Sequence, residues 1–225
     1  SNLVLSTNSL AAFSTTSGTA SSFLSYTISG ENLTANAVVT APANFELSSN
    51  GGVSYADNLT LIRNGLQLTG QPITIRCRLK ASAPSGNYSG SISHTTTGGV
   101  SKFVAVSGKV IAAQPTVQTT AVVFTNVTST SYTIQFTAGN GANRMVVMRA
   151  GGAVNSAPVD GVTYTATASF GTGSQLGTGN FVVYRGSGSS VNVTNLSPAT
   201  TYHVAIYEYN GGVELENYLT TTPAL

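Results

Sequence analysis

Charge is what this chain has least of. Asp, Glu, Lys and Arg make up 7% of its 225 residues, against about a quarter in an average globular protein. The formal net charge is +2, which argues against nucleic acid as a partner, because that contact needs clustered Lys and Arg to displace counterions from phosphates. Arg76, Arg78 and Lys80 form the densest basic set. They alternate with Ile75, Cys77 and Leu79, so they read as the solvated face of a strand whose other face is buried. Tryptophan is absent, and Cys77 is the single cysteine, so no intrachain disulfide can form. Its place in the apolar phase makes Cys77 a small buried hydrophobe rather than a nucleophile. No apolar run approaches the roughly 18 residues of a membrane-spanning helix.

Site chemistry is scarce for the same reason. The two histidines, His94 and His203, fall far apart in the chain, as do the two aspartates, Asp57 and Asp160. A zinc site wants three or four ligands, often closely spaced, and none assembles here. His203 falls on an outward strand phase and reads as a solvated surface residue. Glu214 and Glu216 are close in sequence, but they lie beside a Gly-rich turn rather than facing each other across a cleft as glycosidase carboxylates do. No Asp-rich segment supplies a calcium loop, although an isolated calcium at Asp160 or Glu216 is the nearest approach to one. The glycines of Gly171–Gly177 miss the dinucleotide-binding spacing and have no strand–helix context. A nucleophile elbow and a Walker lysine are both absent. The expectation is therefore no catalytic residue, no metal, no cofactor and no enzymatic activity. Six N-x-[ST] sequons, at Asn32, Asn58, Asn87, Asn126, Asn192 and Asn195, follow from the abundance of Asn, Ser and Thr.

What is present describes β-structure. Hydrophobic residues reach 41%, enough for real cores, while Thr, Ser, Gly and Asn supply a neutral, turn-rich surface of the kind extracellular β-proteins carry. No stretch shows a helical period; short β-rich runs bounded by Gly, Asn, Pro and Ser appear instead. In the first half these are Phe23–Ile28, Val38–Val39, Phe45–Leu47, Leu59–Ile62, Ile73–Leu79, Tyr88–His94 and Lys102–Val110. In the second they are Val122–Phe124, Tyr132–Phe136, Met145–Met148, Phe181–Tyr184, Ser190–Val193, Tyr202–Tyr209 and Asn217–Thr221. The spacing predicts an all-β chain of two tandem β-sandwich domains, residues 1–111 and 117–225. Ala112–Thr116, with its proline, is the expected linker, short enough to limit swing. Between the third and fourth strands of the second half lies Gly151–Gly179. It is polar and Gly/Thr-rich, yet contains Val159, Val162, Tyr164, Phe170 and Leu176, so it should be ordered and partly packed. The chain opens on Ser1-Asn2 without an initiator Met or signal sequence, which fits a leader removed or, as we expect, a piece of a longer protein.

Two local readings follow from the alternation after Tyr202. Tyr202, Val204, Ile206 and Glu208 share the inward face, so Glu208 is expected inside the sandwich. There a carboxylate is costly unless it meets backbone amides or a cation such as Arg144. Tyr207 and Tyr209 fall on the outward phase and are the candidate ligand-binding residues, as rings that stack on sugars. Packing on the sheet is the competing reading for both.

The segment Leu196-Ser-Pro198-Ala-Thr200-Thr-Tyr202, followed by Val204 and Ile206, resembles the tyrosine corner of fibronectin type III domains. Leu196, Pro198, Thr200 and Tyr202 would then be structural residues that pin a loop. The family's strand B often carries a Trp where Phe136 stands. More narrowly, Thr137–Gly141, Asp160–Tyr164, Gly179–Tyr184 and Tyr207–Gly211 are similar to a variant in exported Bacteroidetes proteins. Phe13–Gly18, Ile28–Thr34, Pro42–Glu46, Gly86–Gly90 and Val104–Gly108 resemble an immunoglobulin-like repeat of the same kind of protein. The resemblance implies secretion or display at the cell surface, in proteins that carry a type IX sorting domain, and an accessory rather than catalytic role. Its expected partners are the neighbouring domains of the parent protein, and a surface polysaccharide or a protein ligand, with the chain itself a monomer. A spacer or adhesive module is the leading expectation, and a carbohydrate-binding module attached to an extracellular enzyme is the alternative.

Overall fold

The computed structural model describes residues 1–225. It contains strands and turns only, and no helix long and apolar enough to cross a membrane. The chain divides into two compact units, Ser1–Val110 and Ile111–Leu225.

The first unit begins with β1 (Asn2–Leu5), β2 (Phe13–Thr16), β3 (Leu24–Glu31) and β4 (Ala37–Thr40). It continues with β5 (Phe45–Ser48), β6 (Asn58–Leu61), the short pair β7 (Arg63–Asn64) and β8 (Gln67–Leu68), and β9 (Ile73–Leu79). A long hairpin, β10 (Gly86–Thr96) and β11 (Lys102–Ile111), completes it. One sheet runs β1-β3-β9-β5 and the other β2-β11-β10-β4-β6. Their inner faces meet in one core, in which Ile28, Phe45, Leu47, Ile75, Leu79, Ile92 and Val104 are fully buried. Each such side chain withdrawn from water contributes roughly 1.5–3 kcal/mol.

The solvent face of β9 is less open than its charges suggest. The guanidinium of Arg76 lies 4.0 Å from the centre of the Phe23 ring. That of Arg78 lies 3.6 Å from Tyr55 and pairs with Glu46 at 2.7 Å, and Lys80 pairs with Asp57 at 2.6 Å. The basic stripe is half-buried and two of its three charges are paired, and its alternating partner Cys77 is fully buried. Burial first, and the nearby Glu46 second, push the Cys77 thiol up to about 12, so it remains protonated and unreactive.

The second unit holds β12 (Thr120–Thr125), β13 (Tyr132–Thr137), β14 (Asn143–Ala150), β15 (Asn180–Gly186), β16 (Ser190–Val193), β17 (Tyr202–Asn210) and β18 (Asn217–Tyr218). Its sheets run β12-β13-β16 and β15-β14-β17-β18. Between them lies a core built on Ile134, Phe136, Val146, Met148, Val193, Val204 and Ile206. A second apolar cluster sits on the opposite face of the four-stranded sheet: Met145, Val147, Val182, Ala205, Tyr207, Tyr209 and Tyr218, covered by Leu176, Val154, Tyr164 and Ala166. The covering residues belong to Gly151–Gly179, which lies across the sheet as a strap with no regular strand of its own. β17 is accordingly buried without a break from Val204 to Tyr209.

The strap is tied down by backbone and amide bonds rather than by periodic packing. Ser174 O accepts from Val182 N at 2.9 Å, and Val182 O accepts from Thr167 N at 3.2 Å, so the outer edge of β15 is capped. Asn180, fully buried, donates to Leu176 O at 2.8 Å and to Asn155 Oδ1 at 2.9 Å. Residues Ala112–Thr116 bond within the second unit: Ala112 N donates to Leu215 O at 3.0 Å, and Thr116 N donates to Asn140 Oδ1 at 3.0 Å.

His94 in the first unit has zero exposure. Its Nδ1 faces the Lys102 carbonyl at 3.2 Å and its Nε2 the Tyr26 hydroxyl at 2.6 Å. A carbonyl only accepts, so Nδ1 carries the proton and Nε2 accepts from Tyr26. A second proton on the ring would strand the Tyr26 hydroxyl hydrogen in the core, and burial lowers the His94 pKa. The unfolded chain, whose histidine titrates near about 6.5, then takes up more protons in acid than the native state does. We predict that the first unit's stability is fully present above that pH and falls as pH drops below it. Thermal melting at pH 7.5 and 5.5 should show the loss, and His94→Gln should flatten it; a wild-type transition that does not move with pH refutes the assignment.

Candidate functional site

Apart from Arg149, the charged residues of the second unit gather around β17 and β18 in two clusters. The first centres on Glu208, which has zero exposure. Oε1 accepts from Thr119 Oγ1 at 2.6 Å, Gly139 N at 2.9 Å and Arg144 Nε at 3.1 Å. Oε2 accepts from Gly141 N at 3.0 Å and from Arg144 Nη2 at 3.4 Å. Arg144, itself 4% exposed, spends its other donors on the carbonyls of Ser187, Gly188 and Gly141. Every lone-pair direction of the carboxylate thus meets a donor, which makes an inward charge tolerable.

The two glycines are required by closeness. A Cβ on Gly139 would sit 2.1 Å from Val117 O, and one on Gly141 would sit 2.6 Å from Glu208 Oε2. Gln118, beside Thr119, accepts from Glu208 N at 3.1 Å and donates to Leu219 O at 2.6 Å. One carboxylate therefore holds the segment leading into β12, the β13–β14 turn, β14 and β17 together.

The second cluster centres on Glu216, also with zero exposure. Oε1 pairs with Arg185 and accepts from Thr163 Oγ1 at 2.6 Å. Thr163 Oγ1 in turn accepts from Glu214 N at 2.8 Å. Arg185 extends over the Tyr209 ring at 5.1 Å, and Tyr209 meets Tyr218 at 5.1 Å between ring centres. Asp160 Oδ1 accepts from Tyr218 N at 2.8 Å, and the Tyr218 hydroxyl donates to Val162 O at 3.0 Å. Both bonds fasten the strap to β18. Burial raises the Tyr209 and Tyr218 hydroxyl pKa values, so both phenols stay protonated.

Glu216 Oε2 and Arg185 Nε are buried without a partner. In front of this pair the surface opens into a groove of about 560 Å³ lined by Asn143, Thr163, Tyr164, Thr165, Arg185 and Tyr209. Nothing in the sequence pointed to it, because Arg185 lies on a strand and Thr163 in a segment without periodicity.

The tyrosines chosen from the alternation need correcting. Tyr207 and Tyr209 do lie on the face opposite the inter-sheet core, but they are 4% and 2% exposed. The strap and β18 cover that face, so neither ring is free to stack on a sugar as an open platform. Glu214 is exposed and Glu216 fully buried, and the two acids meet different surroundings. His203 is exposed at the surface. In the loop before β17, Ser197 N donates to the Tyr202 hydroxyl at 2.8 Å, Thr200 Oγ1 donates to Pro198 O at 3.3 Å, and Leu196 is buried in the core. The Tyr202 ring packs edge-on against Phe170 of the strap, 5.0 Å between centres.

Removing one member of a buried pair leaves the other charge uncompensated. We expect Arg144→Met to lower the second unit's stability by about 3–5 kcal/mol, and Arg144→Met/Glu208→Leu to recover part of that loss. Gly139→Ala should be destabilising through its clash with the Val117 carbonyl alone. Urea unfolding of each variant, with the transition of the second unit followed by limited proteolysis, measures these effects.

Comparison with known proteins adds little to this geometry. No family model matches the chain, and no curated protein matches it. Among solved structures it is similar to the FN1–FN3 domains of chicken CNTN1, with 13% identity, a TM-score of 0.35, and coverage of 97% of this chain and 63% of that one. It is similar to a segment of titin domains, with 13% identity, a TM-score of 0.41, and coverage of 95% and 59%. A segment of two fibronectin type III domains from chicken tenascin gives 16% identity, a TM-score of 0.31, and 97% coverage of both chains. The chain thus spans about three-fifths of the length of the first two. Likenesses this distant carry no argument about family or role, and the assignment of two tandem all-β sandwiches rests on the paired sheets themselves.

Proposed function

We propose that this chain is a non-catalytic structural module, a spacer or protein-interaction segment, of a larger secreted or cell-surface protein. The use made of buried charge supports this reading. Glu208, the more fully bonded of the two buried acids, accepts from Thr119, Gly139, Gly141 and Arg144 at once. A carboxylate so occupied is held in place and has no free lone pair to take a proton from a substrate. Glu216 likewise spends one oxygen on fastening the strap through Thr163. His94, the buried base of the first unit, is closed off between Tyr26 and Lys102.

The low charge and the hydroxyl-rich surface support an extracellular setting. So does the resemblance of phrases such as Thr137–Gly141 to those of exported bacterial modules; the glycines of that phrase have a structural task here. A carbohydrate-binding platform on Tyr207 and Tyr209 loses its support, since the strap lies over both rings.

The reading predicts no turnover of chromogenic glycosides, esters or peptides by the whole chain. Glu208→Gln and Glu216→Gln should change melting temperature without changing that null rate. Hydrolysis that Glu216→Gln abolishes while circular dichroism shows the fold intact would replace the structural reading with an enzymatic one.

A further inference from the structure

The two buried ion pairs of the second unit are completed to different degrees, and the less complete one includes a residue that lines a groove. Around Glu208 every carboxylate oxygen and every guanidinium nitrogen of Arg144 has a partner. Around Glu216 one carboxylate oxygen and the Arg185 Nε have none. A buried donor and a buried acceptor left unmade are costly. A pair serving only to hold the strap would gain by closing both bonds, as its neighbour does. The incomplete pair also stands directly behind a groove of about 560 Å³, within the usual range for small-ligand sites.

We propose that this groove binds a neutral saccharide. Its floor carries Arg185 over Tyr209, and the charge of Arg185 is cancelled by Glu216 at its back. An anion therefore meets no net positive charge there. A polyhydroxyl ligand instead meets both donors and acceptors. Arg185 keeps part of its side chain exposed, at 21%, so the open edge of its guanidinium lines the groove while its Nε stays buried beneath. Thr165 is exposed on the strap side and Asn143 is half-buried on β14, giving a hydroxyl and an amide that act in either sense, while the Thr163 hydroxyl is already held between Glu216 and Glu214 N. Tyr164, half-buried and braced edge-on against Tyr218 at 6.0 Å, gives an aromatic surface for the C–H face of a sugar ring. Gly211 and Gly212 form the rim, and a Cβ on Gly212 would meet nothing within 4 Å, so the entrance is wide and open.

This site shares the buried Tyr209 with the discarded platform but stacks no ligand on that ring, and it adds a ligand to the structural role, so it fails or stands apart from the absence of turnover. The whole chain is screened on an array of short neutral oligosaccharides built on glucose, mannose, galactose and xylose, with uronate and sulfated glycans beside them, and hits are titrated by calorimetry. The expected result is a neutral glycan bound with micromolar-to-millimolar Kd that is insensitive to salt. Arg185→Met/Glu216→Gln, which removes both charges together, should weaken it by about tenfold or more. Thr165→Val, at an exposed position, and Tyr164→Ala should each weaken it several-fold. Binding of charged glycans only, no binding of any neutral glycan, or neutral binding unchanged in both the double variant and Thr165→Val overturns the proposal.

Discussion

A single fully buried carboxylate organises the second unit. Glu208 enters the interior because the alternation of β17 leaves it no other direction, and an ion there must be met on all sides or the sheet would not form. The surrounding segments are arranged to meet it: Thr119 from the chain entering the unit, Gly139 and Gly141 from the β13–β14 turn, and Arg144 from the neighbouring strand. The glycines follow from this demand, because their amides reach the carboxylate only along a path that a side chain would block. Arg144 then gathers the carbonyls of Ser187 and Gly188, and the order of three loops is settled by one charge.

The strap gives the same sheet a second dry face. An antiparallel sheet with one covered face alternates apolar and polar residues, but one covered on both faces does not. β14 and β17 belong to the second kind: Met145 to Met148 and Val204 to Tyr209 are buried without interruption. Aromatic side chains that an open sheet would present to solvent become the floor under Leu176, Val154 and Tyr164. The groove beside Arg185 exists because the strap stops short of covering that end of the floor.

Much of this was legible from residue order, and the failures have common causes. The strands Ile73–Leu79 and Tyr132–Thr137 announce themselves by alternation and by flanking turn residues, and Tyr202–Asn210 by its run of aromatic and β-branched residues. The loop from Leu196 to Tyr202 is local, so its residues carry its geometry. The inward direction of Glu208 follows from counting by twos. β1 and β2 escape such counting because each buries one large side chain, Leu3 and Phe13, and the chain crosses between sheets before Leu10 N reaches Ala105 O. The burial of Tyr207 and Tyr209 escapes it because their cover lacks any period and is fixed by Asn180, Ser174 and Thr163, which reach across the fold. The Tyr26–His94 bond joins residues far apart in sequence, as does Glu216 with Thr163. No local pattern encodes such pairs.

Placing ion pairs inside also decides what is left outside. Of the second unit's charged side chains, Arg144, Glu208 and Glu216 are buried and Arg185 is largely enclosed, leaving Arg149, Asp160 and Glu214 at or near the surface. With so few fixed charges, the unit presents almost no field beyond a Debye length. Molecules meeting it are neither steered in nor turned away electrostatically. Its encounters are governed by shape and by hydroxyl and amide groups, and they proceed alike in fresh water and in brine.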